Sequence, residues 1–114
     1  MRKIIALATV AVASAALAVP AFAATKTVNV GDIYFISKAK NKGTLTVKKG
    51  TKVTWKWVGK FPHTVTVKSG PVKFTSKKLT KGTYSQTLKK PGTYKIYCKV
   101  HTAAAQAMTL KVTA

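Results

Sequence analysis

Acidic residues are almost missing from this 114-residue chain: Asp32 is the one acid against 21 lysines and arginines. A single carboxylate cannot form a general acid/base pair, and a nucleophilic triad would lack its orienting acid, so the chain reads as a non-enzyme. Cysteine occurs once, at Cys98, which excludes an internal disulfide. The thiol is therefore intermolecular, free and reactive, metal-bound, or buried as a small hydrophobe. Histidine occurs twice, at His63 and His101, and no arginine follows Arg2. The shortage of arginine, together with the lack of any nucleic-acid-binding motif, argues against a nucleic-acid partner. No helical periodicity of useful length, internal repeat, linker, or Met-rich or His-rich segment is present after residue 23.

The first 23 residues read as a segment apart. Arg2 and Lys3 form a charged start, Ile4 to Val19 an apolar run, and Ala21-Phe22-Ala23 a small-residue cleavage signal before Ala24. This is the pattern of a secretory signal peptide, and the run is short for a membrane anchor and ends at Pro20. No twin-arginine pair precedes it and no cysteine follows it, which points to the general secretory route rather than to a lipoprotein. The expected product is secreted, periplasmic or held at the cell envelope, with no transmembrane segment after cleavage. The remaining residues, 24–114, suffice for one domain with a single core, expected as a monomer.

Arg2 and Lys3 fall within the signal, so 19 lysines face Asp32 and the mature net charge is near +18. Such a field favours anionic partners, either an acidic redox protein or an anionic envelope surface, and makes association sensitive to salt. The plainer reading is a solubilised surface, since the lysines are spread along the chain.

From Ala24 onward short strands alternate with Gly-, Pro- and Lys-rich turns. The expected strands begin with Thr25 to Val30 and Ile33 to Ser37. Leu45 and Val47 then share a face, as do Val53, Trp55 and Trp57. His63, Val65 and Val67 are placed inward, opposite Thr64, Thr66 and Lys68. Tyr84 to Leu88 forms another strand, and beyond Pro91-Gly92 the residues Tyr94, Ile96, Cys98 and Val100 line one face. Met108, Leu110 and Val112 point inward in the last strand. This parity puts His63 and Cys98 on core faces, and about seven such strands predict an all-β, two-sheet antiparallel sandwich.

Cys98 stands three residues before His101, and His63 lies upstream in Phe61-Pro62-His63-Thr64. One cysteine and two histidines make the trigonal set that holds copper in electron-transfer sites, completed by a weak axial Met or Gln. The stretches Thr44 to Trp57, Phe61-Pro-His-Thr-Val65 and Lys90-Pro-Gly-Thr-Tyr-Lys-Ile-Tyr-Cys-Lys-Val-His101 resemble the small blue copper proteins of the cupredoxin family, plastocyanin-like. The similarity covers nearly all of residues 26–113. It implies a Greek-key sandwich with one type 1 copper at one end, His63, Cys98 and His101 as equatorial ligands, and one-electron transfer. It also implies that His101, on the loop, has an exposed edge and serves as the electron exit. Thr64, directly after the first ligand, is placed to brace the ligand loop by hydrogen bonding.

The axial ligand is where the chain departs from the family pattern. The family commonly has Met three to five residues after the loop histidine, where this chain has Ala104, Ala105 and Gln106. Aligning the last strand without a gap puts Gln106 at the Met position and Met108 where the family usually has Gly. Gln106 is the expected axial ligand, with Met108 the alternative and a three-coordinate site the third case. Two other functions use the same residues differently. One is an extracytoplasmic copper carrier or scavenger; the other is a metal-free sandwich that binds anionic envelope polymers, with Cys98 buried.

Overall fold

The computed structural model describes residues 24–40 and 42–114, so the expected signal peptide, residues 1–23, lies outside the described residues. Among the described residues there are seven strands: β1 (Thr25–Val30), β2 (Thr44–Lys48), β3 (Thr51–Trp57), β4 (Thr66–Ser69), β5 (Gly82–Leu88), β6 (Gly92–Tyr97) and β7 (Ala107–Thr113). A 3₁₀ turn at Lys38–Lys40 and one helical turn, α1 (Thr102–Ala105), complete the described elements. The strands follow the two-residue alternation. Val53, Trp55 and Trp57 are buried along β3, and Met108, Leu110 and Val112 along β7, with lysines and threonines on the outer faces.

The strands form two sheets, one ordered β1-β3-β5 and the other β2-β7-β6-β4. The expected sandwich is present, but its pairing is not wholly antiparallel: β1 runs parallel to β3, and β2 parallel to β7. The reason is connectivity. The chain crosses from one sheet to the other between β1 and β2 and again between β2 and β3, and each crossing reverses its direction. Two reversals bring β3 alongside β1 in the same sense. Alternation in the sequence reports which side chains face inward and carries no information about the sense of the neighbouring strand.

Three local departures bear on the functional end of the molecule. Ile33 to Ser37 is not a strand: only Phe35 makes a bridge, to Val30. The Gly31 N–H donates to the Tyr34 carbonyl (2.9 Å) and the Ser37 N–H to that of Phe35 (2.9 Å), which curls the segment into a loop. Around His63 the expected alternation is lost, because Thr64 and Thr66 are buried along with Val65 and Val67. The segment at Thr75 and Ser76 covers their outer side. The Ser76 N–H donates to the Val65 carbonyl (2.8 Å), and the Thr66 and Thr75 hydroxyls meet at 2.8 Å. Val100 is exposed rather than inward, because β6 stops at Tyr97 and the chain turns at Cys98.

Between the sheets, Trp55, Tyr94, Phe35, Ile96 and Leu110 are fully enclosed. Phe74 and Tyr84 flank the Trp55 ring at centroid distances of 6.0 and 6.1 Å. A buried aromatic of this size contributes several kcal/mol, about 3–5 by the cost of truncating it to alanine. The Tyr94 hydroxyl donates to the Lys90 carbonyl (2.8 Å), which pins the Pro91-Gly92 turn to the strand that leads to Cys98.

Candidate metal centre

His63 lies in the connection between β3 and β4, which the backbone secures on both sides. Its N–H donates to the Leu79 carbonyl (2.9 Å) and its carbonyl accepts from the Leu79 N–H (3.0 Å). The Trp57 indole N–H also donates to that carbonyl (3.2 Å), so the end of β3 fixes the histidine's main chain. The imidazole is completely buried. Its Nε2 lies 3.1 Å from Asp32 Oδ1. An ionised carboxylate can only accept, so a hydrogen bond here requires a proton on Nε2. Asp32 Oδ1 also accepts from the backbone N–H groups of Lys60 (2.8 Å) and Phe61 (3.0 Å). The Phe61 N–H first, and then the His63 imidazole, hold the Asp32 carboxyl below its usual range.

Cys98 and His101 come from the loop between β6 and β7. The Cys98 N–H donates to the Gln106 carbonyl (3.1 Å) and the Cys98 carbonyl accepts from the Thr102 N–H (2.8 Å), so the loop is closed upon itself. Thr102 holds φ at +71°, an unfavourable value for a β-branched residue, costing about 1–3 kcal/mol where the surroundings enforce it. Cys98 is fully buried, and its Sγ accepts from the Thr64 N–H (3.4 Å). The Thr64 hydroxyl accepts from the Lys99 N–H (2.9 Å), so Thr64 braces the ligand loop from across the site.

The three donors converge. Cys98 Sγ lies 3.9 Å from His63 Nδ1 and 3.5 Å from His101 Nδ1, and all three atoms fall within 4.8 Å of one another. The two imidazoles lie 4.8 Å apart with planes inclined by 35°. Cys98 and His63 are sealed inside, whereas His101 is half-buried and keeps an edge toward solvent.

Gln106 and Met108 occupy different settings. Met108 is buried in the inward row of β7, paired with Ile96 across the sheet. Gln106, at the end of α1, is also fully buried, and its Nε2 donates to the carbonyls of Gly31 and Tyr34, both at 2.9 Å. Its Oε1 has no hydrogen-bond partner, one of two such buried side-chain atoms among the described residues; the other is Trp55 Nε1. A buried carbonyl oxygen without a donor costs about 1–3 kcal/mol. An unpartnered oxygen on the residue whose carbonyl accepts from the Cys98 N–H, in a chain that brings a thiol and two imidazoles together, fits a soft-to-borderline metal ion with one weak oxygen donor.

Apolar side chains crowd the loops at this end. Phe61, two residues before His63, is 60% exposed, and Val100, just before His101, is 43% exposed. Sequence reasoning assembled the three donors and the Thr64 brace. It missed Asp32, which it read only as a scarce charge, and Trp57, which it read only as core. The one available signal for Asp32 was its isolation: a lone carboxylate in a lysine-rich chain.

Comparison with known proteins agrees with this geometry. The family described as copper binding proteins, plastocyanin/azurin family, matches residues 23–113. No curated protein sequence matches the chain. Among solved structures, a Met-to-Gln variant of amicyanin in the Cu(I) state superposes with a TM-score of 0.63 at 25% identity, over 77% of this chain and 81% of that one. An oxidised Pro-to-Gly variant of amicyanin gives a TM-score of 0.63 at 24% identity, over 80% and 90% of the two chains. The copper-containing nitrite reductase of Thermus scotoductus SA-01 gives 0.66 at 24% identity, over 79% of this chain but only 22% of the reductase. The family and the donor set together fit one type 1 copper per chain. The chain belongs to the plastocyanin/azurin family of copper-binding proteins.

Proposed function

We propose that the protein is an exported one-electron carrier, with copper held by His63 Nδ1, Cys98 Sγ and His101 Nδ1 and, axially, by Gln106 Oε1. The observation that carries this reading is the convergence of the His63, Cys98 and His101 donors within 4.8 Å, two of the three residues sealed from solvent; the unpartnered Gln106 Oε1 supports the axial assignment. When bound, copper supplies a reversible one-electron couple. The residues of the chain do the rest. The hydrogen bonds to His63, Cys98 and Gln106 hold each side chain in place without the metal, which keeps rearrangement between oxidation states small. His101, with its edge to solvent, is the electron exit, and exposed Val100 beside it offers an apolar contact for a partner.

The partner is proposed to be acidic, since lysines dominate the surface, and the carrier to be a monomer. Residues 1–23 are proposed to direct export and to be removed before Ala24. No helix among the described residues is long and apolar enough to cross a membrane. No catalytic role is assigned: Asp32 is the one carboxylate side chain and is already bonded to His63. The match to the nitrite reductase spans about a fifth of that enzyme, so its activity does not come with the fold. A copper carrier would need to release its metal readily, which burial of Cys98, His63 and Gln106 disfavours.

The test is titration of the purified protein with copper(II). One equivalent should produce an intense blue or green charge-transfer band, and Cys98→Ser should abolish it with the sandwich still folded. A band that survives Cys98→Ser removes the thiolate from the site. The absence of any band in the parent protein favours the metal-free reading.

A further inference from the structure

Asp32 is the one acid of the whole sequence, and the fold spends it at one place, against the buried nitrogen of His63. Its Oδ1 collects three donors: His63 Nε2 at 3.1 Å and the N–H groups of Lys60 and Phe61. The last two belong to the loop that carries His63, so one oxygen holds both the ring and the main chain leading to it. Gly59 makes the approach possible, because a Cβ at that position would overlap Asp32 Oδ1. The loop that carries Asp32 also reaches Gln106, since the carbonyls of Gly31 and Tyr34, on either side of Asp32, accept from Gln106 Nε2. That bonding orients the amide so that its oxygen is the atom left free.

We propose that Asp32 is the positioning residue of the metal centre, fixing His63 as the Nε2–H tautomer so that Nδ1 faces Cys98. The inference deepens the copper reading and rests on it for its metal-dependent half. An imidazole whose Nε2 faced only water would divide between two tautomers, and one of the two presents a proton to the metal. A carboxylate removes that choice and strengthens the ring as a donor. It also carries charge: a thiolate and a carboxylate together balance a divalent copper, whereas the nineteen lysines elsewhere in residues 24–114 oppose any cation. Asp32 therefore favours copper(II) over copper(I).

Two variants separate the hydrogen bond from the charge. Asp32→Asn keeps an oxygen for the Lys60 and Phe61 N–H groups, preserving the loop, but removes the charge. Gly59→Ala keeps the charge and displaces the carboxylate from His63. The first readout needs no copper: ¹⁵N NMR of the apo-protein should find His63 protonated at Nε2 in the parent and mixed in Gly59→Ala, with His101 as internal control. The second is metal affinity, expected to fall by about 10- to 100-fold for copper(II) in each variant, as for other partners of ligating histidines. In Asp32→Asn copper(I) affinity should fall less, and each tenfold difference raises the one-electron potential by about 59 mV. Far-UV circular dichroism of the apo-forms checks that both remain folded. A parent His63 protonated at Nδ1 overturns the proposal. So does copper(II) affinity within twofold of the parent in both variants. If the parent binds no copper, the proposed function fails, while the tautomer measurement still decides the role of Asp32.

Discussion

Gln106 and Met108 are two residues apart, both buried, and each is a candidate for the axial position; their environments make opposite predictions for mutation. Replacing Gln106 with Met in the apo-protein removes two hydrogen bonds, to Gly31 and Tyr34, at about 0.5–1.5 kcal/mol each. It also removes the unpartnered Oε1, whose burial costs about 1–3 kcal/mol. The two effects offset, so apo Gln106→Met should lie within about 2 kcal/mol of the parent, or roughly 8–16 °C in Tm at most for a domain of this size. Gln106→Glu deletes the same donors and places an uncompensated charge against two carbonyls, for a loss of about 3–5 kcal/mol. Met108→Leu conserves volume within the Ile96 and Leu110 packing and should cost less than about 1.5 kcal/mol. Thermal unfolding of the apo-forms measures all three. On the copper-loaded forms, spectroelectrochemistry should find a higher potential and a shifted spectrum for Gln106→Met, because an amide oxygen is a harder donor than a thioether and favours copper(II). Met108→Leu should leave both unchanged. A potential insensitive to residue 106 but moved by Met108→Leu would assign the axial role to Met108. Insensitivity to both would make the site three-coordinate. An apo Gln106→Met destabilised by far more than 2 kcal/mol would mean that Oε1 is not an orphan.

Electron exchange with an anionic partner should slow steeply as ionic strength rises to physiological values, where screening acts over about 8 Å; a flat salt dependence would reduce the lysines to a solvated surface. Acid should weaken the apo-fold through Asp32: its folded carboxyl is held below 3.8, so the stability it adds is present above that pH and is lost as the pH falls through its lower folded value. The stability read from unfolding curves at a series of acid pH values should therefore fall with pH in the parent and fall less in Asp32→Asn. Trp57→Phe should cost about 0.5–1.5 kcal/mol for the lost bond to the His63 carbonyl, beyond any change in packing, and should loosen that ligand's main chain, read as faster amide exchange at His63 and Leu79.

The inward rows of β3 and β7 were legible because each strand buries one face, and Cys98 is buried in step with Tyr94 and Ile96, whereas His63 is buried in a stretch where that alternation is lost. The meeting of His63, Cys98 and His101 was legible because the chain has one cysteine and only two histidines. What failed to show in the sequence was whatever depends on two distant segments meeting. The parallel pairing of β1 with β3 is set by crossings between sheets, and residue type does not record them. Burial of Thr64 and Thr66 depends on the Thr75–Ser76 segment lying over them, so their polar character pointed outward when the chain turned it inward. Asp32 resembled a stray surface charge, because nothing near it in sequence hints that His63 lies 3.1 Å away.

The ladder that joins Thr44 to Thr109 has a consequence for how the protein is made rather than how it works. Sheets assembled from segments so far apart along the chain form in about milliseconds to seconds, where local structure needs only microseconds. For that interval the sulfur of Cys98, later enclosed completely, is open to oxidants and to the same sulfur on another chain. Covalent dimers through Cys98 are thus the expected dead end of slow refolding, and the speed with which residues 63 and 98 come together governs the yield of usable thiol.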